Sequence, residues 1–422
     1  MKYCKRCLYP ENHPLGLTFD NRGVCSGCLV HEEKYEINWA ERAKQFEALV
    51  SPYRSRPGTF YDCVIPVTGS GDDFYIVDLV KNRFGLNPLL VTYNTQFNTK
   101  IGIRNLARLT TELDCDHLLS TVGPDTVKKI TRSTLKHLGD MYWHVLAGSQ
   151  TFPVQVATKF NIPLIIWGVH GWMDQVGQFS HSDYVEMTKK VRKEHGLRMV
   201  DAEELIALDK TITREDVLPY IYPSDQQLEK SKVRGIYINN FFFWDSKKQV
   251  EMAIKKFGYE TMKQERTYNT YETIYCQNNA HVHDYIKYLK FGYGKATDHA
   301  TRDIRLKRLT RKEGIALVEK YDAVKPSNLN TFLEWIGLSE SELMSCIDAF
   351  RDPKSWKKNN GQWELQDSIV RHIEDEGTAS VALEVLESNE YVETPLIEPE
   401  SKNYHLSGRQ YMDAENKLAI EG

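Results

Sequence analysis

The sequence predicts an α/β fold in which a parallel sheet carries helices on both faces, with a four-cysteine ribbon before it and a helical region after it. Three observations lead there. Two CxxC pairs open the chain, apolar runs alternate with helical periods from Tyr61 to about residue 245, and beyond that point the pattern is helical.

At 422 residues the chain suits two or three domains. With 41% hydrophobic and 27% charged residues, it has the balance of a globular enzyme rather than of a disordered chain. The net charge of −4 argues against a large nucleic-acid surface and leaves room only for a local basic patch. No apolar run of 18 residues is present, and MKYCKRCLYP lacks the pattern of a signal peptide. A cytoplasmic protein without membrane contact is expected.

Cys4-x2-Cys7 and Cys25-x2-Cys28 stand 17 residues apart. Two such knuckles supply four thiolates to one tetrahedral Zn²⁺, a closed and therefore structural site. A redox CxxC normally stands alone, and disulfides lack support from a secretory signal. The remaining Cys63, Cys115, Cys276 and Cys346 are scattered singly, as in a reducing compartment. Residues 1–55 are read as the ribbon and a charged helical connector (about 32–50).

The α/β domain is expected over 56–245. Buried strands are expected at 64–67, 88–93, 117–121 and 163–167, with helices at 74–83, 101–113, 124–138 and 142–160. The first strand leads into Thr68-Gly69-Ser70-Gly71-Asp72-Asp73 and then a helix. That order directs free backbone N–H groups and the helix dipole at one point, a cradle for phosphate. Two carboxylates repel a bare phosphate, so a functional reading requires Mg²⁺ between them. The competing reading is an ordinary βα turn with aspartates capping a helix. Ligands of such sheets sit at the carboxyl ends of the strands. There the turn converges with Thr92-Tyr93-Asn94-Thr95 and Gly168-Val169-His170-Gly171, which makes Asn94, Thr95 and Gly168 candidate binding residues.

HSDYVEMTKKVRKEHG and DAEELIALD read as charged helices, and Asp174, His181 and Asp183 as solvated polar residues. RGIYINN reads as a last strand, and Phe241-Phe242-Phe243-Trp244 after it as core. Residues 246–352 form a helical, basic region. From His281 to Gly314, Lys287, Lys290, Lys295, Arg302, Arg305, Lys307, Arg308 and Arg311 gather about Gly292 and Gly294. Cations at such a bend can clamp a polyphosphate, whereas the plain alternative is a solvated helix face. Thr310-x-x-Glu313 reads as a capping box. Residues 353–422 read as a C-terminal extension or tail.

Taken together, the cysteine pairs, LLVTYNTQFNTKIGIRNLARL and HDYIKYLKFGYGKATDHATRDIR resemble the N-acetyl sugar amidotransferases of the PP-loop ATP-pyrophosphatase superfamily, from Cys4 to about Arg351. The resemblance implies a PP-loop (HUP-like) domain and a role in surface-polysaccharide, O-antigen, lipopolysaccharide or flagellin-glycan synthesis. It implies that ATP activates an acetamido oxygen of a nucleotide sugar as an adenylate. Ammonia from a partner glutaminase then displaces AMP and leaves an acetamidino group. On this reading Thr68, Gly69, Ser70 and Gly71 hold ATP. Asp72 holds Mg²⁺ with Asp73 beside it, and Lys290, Arg302 and Arg305 hold pyrophosphate. The superfamily loop is SGGxDS, so Ser70 replaces a glycine and Asp73 a serine. Where relatives carry Gly-Glu after the fourth strand, this chain has Gly168-Val169, and Asp73 or Asp174 stands as the substitute carboxylate. The departures imply a variant with a rearranged metal site, the alternative being a copy with weakened ATP chemistry. Two other functions compete: a PP-loop tRNA thiolase, disfavoured because no CxxC occurs among Cys63, Cys115, Cys276 and Cys346 and because the overall charge is acidic, and a catalytically silent nucleotide-sugar-binding subunit.

Overall fold

The computed structural model describes residues 1–58 and 60–395, and the backbone of a hairpin over Tyr404–Ser407 and Gln410–Asp413. Its centre is a six-stranded sheet of β1 (Cys63–Pro66), β2 (Pro88–Tyr93), β3 (His117–Ser120), β4 (Leu164–Trp167), β5 (Glu186–Met187) and β6 (Arg234–Tyr237). The order is β3-β2-β1-β4-β6-β5, and every pairing is parallel except that of β5 with β6. Strand order reverses between β1 and β4, which opens a crevice at their carboxyl ends.

Alternation along the strands explains their continuous apolar runs. Cys63 and Ile65 of β1 join Leu90, Leu164, Ile166 and Ile236 in one core, while Val64 joins Leu89, Val91, Ile165, Trp167 and Tyr237 in another. Both faces are buried, so neither can be polar. The first core is closed by α2 (Trp39–Val50), α3 (Gly71–Asp78), α4 (Lys100–Glu112) and the helix Ser246–Phe257. On the opposite face lies α6 (Trp143–Phe160), which follows α5 (Pro124–Leu138). Phe241, Phe242 and Trp244 belong to the first core, as expected of that aromatic run.

One element differs from expectation. HSDYVEMTKKVRKEHG is not one helix: Glu186 and Met187 form β5, and a short helix begins only at Lys189. Thr188 is the reason, because its side chain accepts from Val191 N and caps the helix there.

The C-terminal region is helical over Gln277–Phe291, Lys295–Arg305, Arg311–Tyr321, Leu329–Ile336 and Glu340–Asp348. Gly292 ends the first of these at φ +78°, and Thr310 with Glu313 forms the capping box that opens the third. A hairpin, Trp356–Asn359 with Gln362–Leu365, follows. The segment read as a tail stays attached through residue 394. Tyr391 donates to Asp303 Oδ2 at 2.6 Å, and Thr261 Oγ1 donates to Val392 O at 3.3 Å. The side chains of the remaining tail lie outside the described residues.

The cysteine-bearing segment sits on this body. Its helix α1 (Ser26–Glu36) packs against α7 (Gly171–Val176) and the helix Lys295–Arg305. The approach is close: a Cβ at Gly27 would meet Gln175 O at 2.3 Å, and one at Gly177 would meet Ser26 O at 2.3 Å. Among the described residues no helix is long and apolar enough to cross a membrane.

Candidate active site and cysteine cluster

Cys4, Cys7, Cys25 and Cys28 are buried, and their sulfurs lie within 4.8 Å of one another. The N–H groups of Cys7 and Cys25 donate to Cys4 Sγ at 3.4 and 3.3 Å. Four convergent sulfurs fit a tetrahedral metal ion. Arg305 adds charge beside them, with Nε 3.4 Å from Cys28 Sγ and Nη2 3.6 Å from Cys25 Sγ. Its Nη1 also donates to the carbonyls of Asp174 and Gln175 at 3.0 and 2.9 Å. Arg305 therefore belongs to the cysteine cluster rather than to a phosphate clamp.

The turn after β1 is fixed by its neighbours. Gly69 has φ +82°, and a Cβ there would lie 2.7 Å from Leu106 N of α4; one at Gly71 would lie 2.4 Å from Val250 Cγ2. Both glycines answer to close packing as well as to any ligand. Asp73 forms a capping box with Ser70, and its Oδ2 accepts from Thr68 N at 2.7 Å and Ser70 N at 2.9 Å. Asp73 is thus spent inside the turn and is not aimed at a ligand.

Asp72 points the other way, into a cleft of about 210 Å³ bordered by Thr68, Ser70, Gly71, Asp174, Glu272 and Arg302. Ser246 Oγ donates to its Oδ2 at 3.1 Å, while Oδ1 is buried with no protein partner. Burial and the facing Glu272 carboxylate push the Asp72 carboxyl up to about 8, against the Ser246 hydrogen bond and Arg302. A carboxylate with an orphaned oxygen opposite a second carboxylate fits a bound divalent cation. Glu272 is held well below the usual carboxylate range by Arg302 and His299, overcoming its burial. It accepts from Arg302, and its Oε2 lies 3.1 Å from His299 Nε2.

Asp174 also reaches this cleft. It is not solvated as expected but largely buried, and Lys34 Nζ donates to its Oδ1 at 2.6 Å. His181 is likewise buried, whereas Asp183 is exposed and caps Ser180 N at 2.8 Å. Of the two carboxylates expected to stand in at Val169, Asp174 borders this cleft, and Glu272 borders it as well.

Two larger cavities adjoin the cleft. One of about 800 Å³ runs along α4 and holds Asn94 and Thr95; the other, about 560 Å³, holds Tyr93, Trp167, Gly168, Trp172, Lys287 and Lys295. Thr68 and Tyr275 border all three spaces. Trp172 stacks on His195 with ring centroids 3.7 Å apart at one edge of the second cavity. The expected clamp is dispersed. Arg302 alone faces the cleft, while buried Lys290 donates to Gly139 O at 2.9 Å, away from Asp72's cleft. Positive charge clusters in sequence, but Lys290 lies on the helix before the bend at Gly292 and Gly294, Arg302 and Arg305 lie on the helix after it, and each of the three meets a different partner. Glu272 was missed because TYETIYC has no periodicity and reaches the site only through the tertiary fold.

Residues 265–369 match the family described as LPS biosynthesis protein WbpG-like, C-terminal domain. The stretch from His283 to Arg305 that carried the resemblance lies inside this match, and there the resemblance holds. An uncharacterized protein of Methanocaldococcus jannaschii is 24% identical over 116 residues, 28% of this chain, and the chain spans 41% of that protein's length. Among solved structures, an NH3-dependent NAD synthetase from Campylobacter jejuni overlaps 44% of this chain and 99% of its own, at 13% identity and TM-score 0.28. An NMN synthetase from Francisella tularensis overlaps 52% and 96%, at 13% identity and TM-score 0.26. Overlaps this loose decide neither fold nor activity.

Proposed function

We propose that this protein is an ATP-dependent amidotransferase that converts the acetamido group of a nucleotide sugar to acetamidino in lipopolysaccharide or related glycan synthesis. The observation that carries this reading is the meeting of three cavities at Thr68 and Tyr275, one of them the cleft that Asp72 borders. The LPS-biosynthesis description of the matching family supports the glycan context. In this reading residues 1–55 are a zinc ribbon and connector and 56–245 the PP-loop domain. Residues 246–352 are a helical region that caps it, 353–422 are an extension, and the protein works in the cytoplasm.

ATP lies with its adenosine in the 800 Å³ cavity beside Asn94 and Thr95, and its phosphates near Thr68, Ser70 and Asp72. The 560 Å³ cavity suits the sugar, since Tyr93, Trp167 and Trp172 offer faces for a pyranose while Lys287 and Lys295 answer its diphosphate. The acetamido oxygen attacks the α-phosphorus and pyrophosphate leaves. Ammonia then adds to the imidate carbon and AMP departs with the original oxygen. Ammonia keeps two hydrogens in the amidinium and the third passes to solvent. Mg²⁺ at Asp72 and Glu272 would neutralise polyphosphate charge when bound. The chain's own groups position the reactants: Asp73 holds the turn, Arg302 faces the leaving pyrophosphate, and Asp174 stays ionised beside Lys34. In this reading the ammonia comes from a partner glutaminase.

The test supplies ATP, Mg²⁺, ammonium and an N-acetylated nucleotide sugar, and measures AMP release and ATP–pyrophosphate exchange. Sugar-dependent AMP supports the proposal. AMP that depends on tRNA would move the assignment to a thiolase, and no AMP with any acceptor would leave a sugar-binding subunit.

A further inference from the structure

We infer that a passage beside the cysteine cluster carries ammonia from the protein surface to the cleft at Asp72, an inference that rests on the amidation reading above. An outer cavity of about 340 Å³ opens between α1 and the helix Lys295–Arg305, with Glu32, His31 and Arg305 in its wall and Tyr35, 47% exposed, at its rim. Inward lies a void of about 10 Å³. It shares His31 and Arg305 with the outer cavity, and Asp174, Gln175 and Arg302 with the cleft at Asp72. The three spaces therefore follow one another along a single line of side chains.

The void has a defined chemistry. A volume of this size holds about one molecule as small as water or ammonia. His31 from α1 and Thr301 from the facing helix line it, at 4% and 1% exposure, and His31 Nε2 and Thr301 Oγ1 each lack a hydrogen-bond partner. Buried polar atoms are nearly always paired, so two orphans on opposite walls of one small void indicate a small polar occupant. Arg302 and Arg305 border the void together with Asp174 and Asp298, and each carboxylate is already paired with a lysine, Asp174 with Lys34 and Asp298 with Lys287. Such a lining disfavours the ammonium cation and favours neutral ammonia, the form that attacks the imidate. Glutamine and other amines are excluded by size.

The test uses the zinc-loaded full chain with ammonium chloride as nitrogen source. His31→Phe and Thr301→Leu fill the void from opposite walls and from different elements, so a folding defect in one leaves the other informative. Both are expected to raise the KM for ammonium about tenfold or more, while ATP–pyrophosphate exchange without ammonium stays within about twofold of wild type. His31→Ala should instead admit methylamine and yield the N-methyl amidine. Unchanged ammonium KM in the folded filled variants, with exchange intact, overturns the passage alone. Absence of sugar-dependent exchange in the wild type overturns the amidation reading and the passage with it.

Discussion

Asp72→Asn is expected to stabilise the metal-free protein while abolishing AMP release. The Asp72 carboxyl is pushed from 3.8 up to about 8, chiefly by burial and by Glu272. Between those two values the unfolded chain has lost the proton that the folded chain keeps. Stability therefore falls as pH rises through this window, is unaffected below it, and levels off above about 8. At about 1.36 kcal/mol per unit, the full displacement corresponds to roughly 6 kcal/mol, and the side chain's partial contact with the cleft reduces this to about 3–6 kcal/mol. At pH 7 the same reasoning leaves about 2–4 kcal/mol. Asparagine keeps the shape and carries no such cost. Urea unfolding in EDTA at pH 5, 7 and 8.5 checks this, with the variant's advantage growing across the series. Parallel pH dependence in the two proteins would refute the reasoning. A corollary is that Mg²⁺ must displace a proton below pH 8, so its affinity should rise with pH up to that point.

Other substitutions separate the site from its supports. Glu272→Gln removes the second cleft carboxylate and should lower AMP release about 100-fold or more, read by the same assay. Asp73→Ala should cost about 1–2 kcal/mol in a denaturant titration, because it frees Thr68 N and Ser70 N, and should raise the KM for ATP. Arg305→Met leaves the cysteine cluster without its adjacent cation and should lower metal content on purification, with a loss of about 3–5 kcal/mol. Cys4→Ser should likewise lose metal, measured by atomic absorption. Lys290→Met, by contrast, should change AMP release by less than about twofold, since its partner is Gly139 O outside the cleft.

Much of the fold was legible because its signals are local. β1 to β4 fall within about one residue of the apolar runs, and the capping box at Thr310 follows from spacing alone. β5 was not legible, since two residues paired to β6 leave no periodicity inside a charged stretch. In the site, Asp72 and the cysteine quartet could be singled out because residue type and spacing state their chemistry. The basic segment misled for the opposite reason. Charge density along a chain says nothing about direction, and Lys290, Arg302 and Arg305 reach three different partners, Gly139 O, Glu272 and Cys28. Ser246 reaches Asp72 from 174 residues away in sequence and Glu272 from farther still, a proximity that only packing creates.

Arg305 links two regions that look separate in the sequence. One guanidinium touches the sulfurs of Cys25 and Cys28 and the carbonyls of Asp174 and Gln175, and the last two residues border the cleft. Oxidising or stripping the thiolates would cost that guanidinium its anionic neighbours and loosen its hold on α7. If the proposed function holds, AMP release would then follow metal supply and thiol redox state, with the cluster acting on the cleft only through Arg305. The ribbon is for this reason not a detachable module: trimming it, or exchanging it for a cysteine-free substitute, would deform the cleft wall from behind.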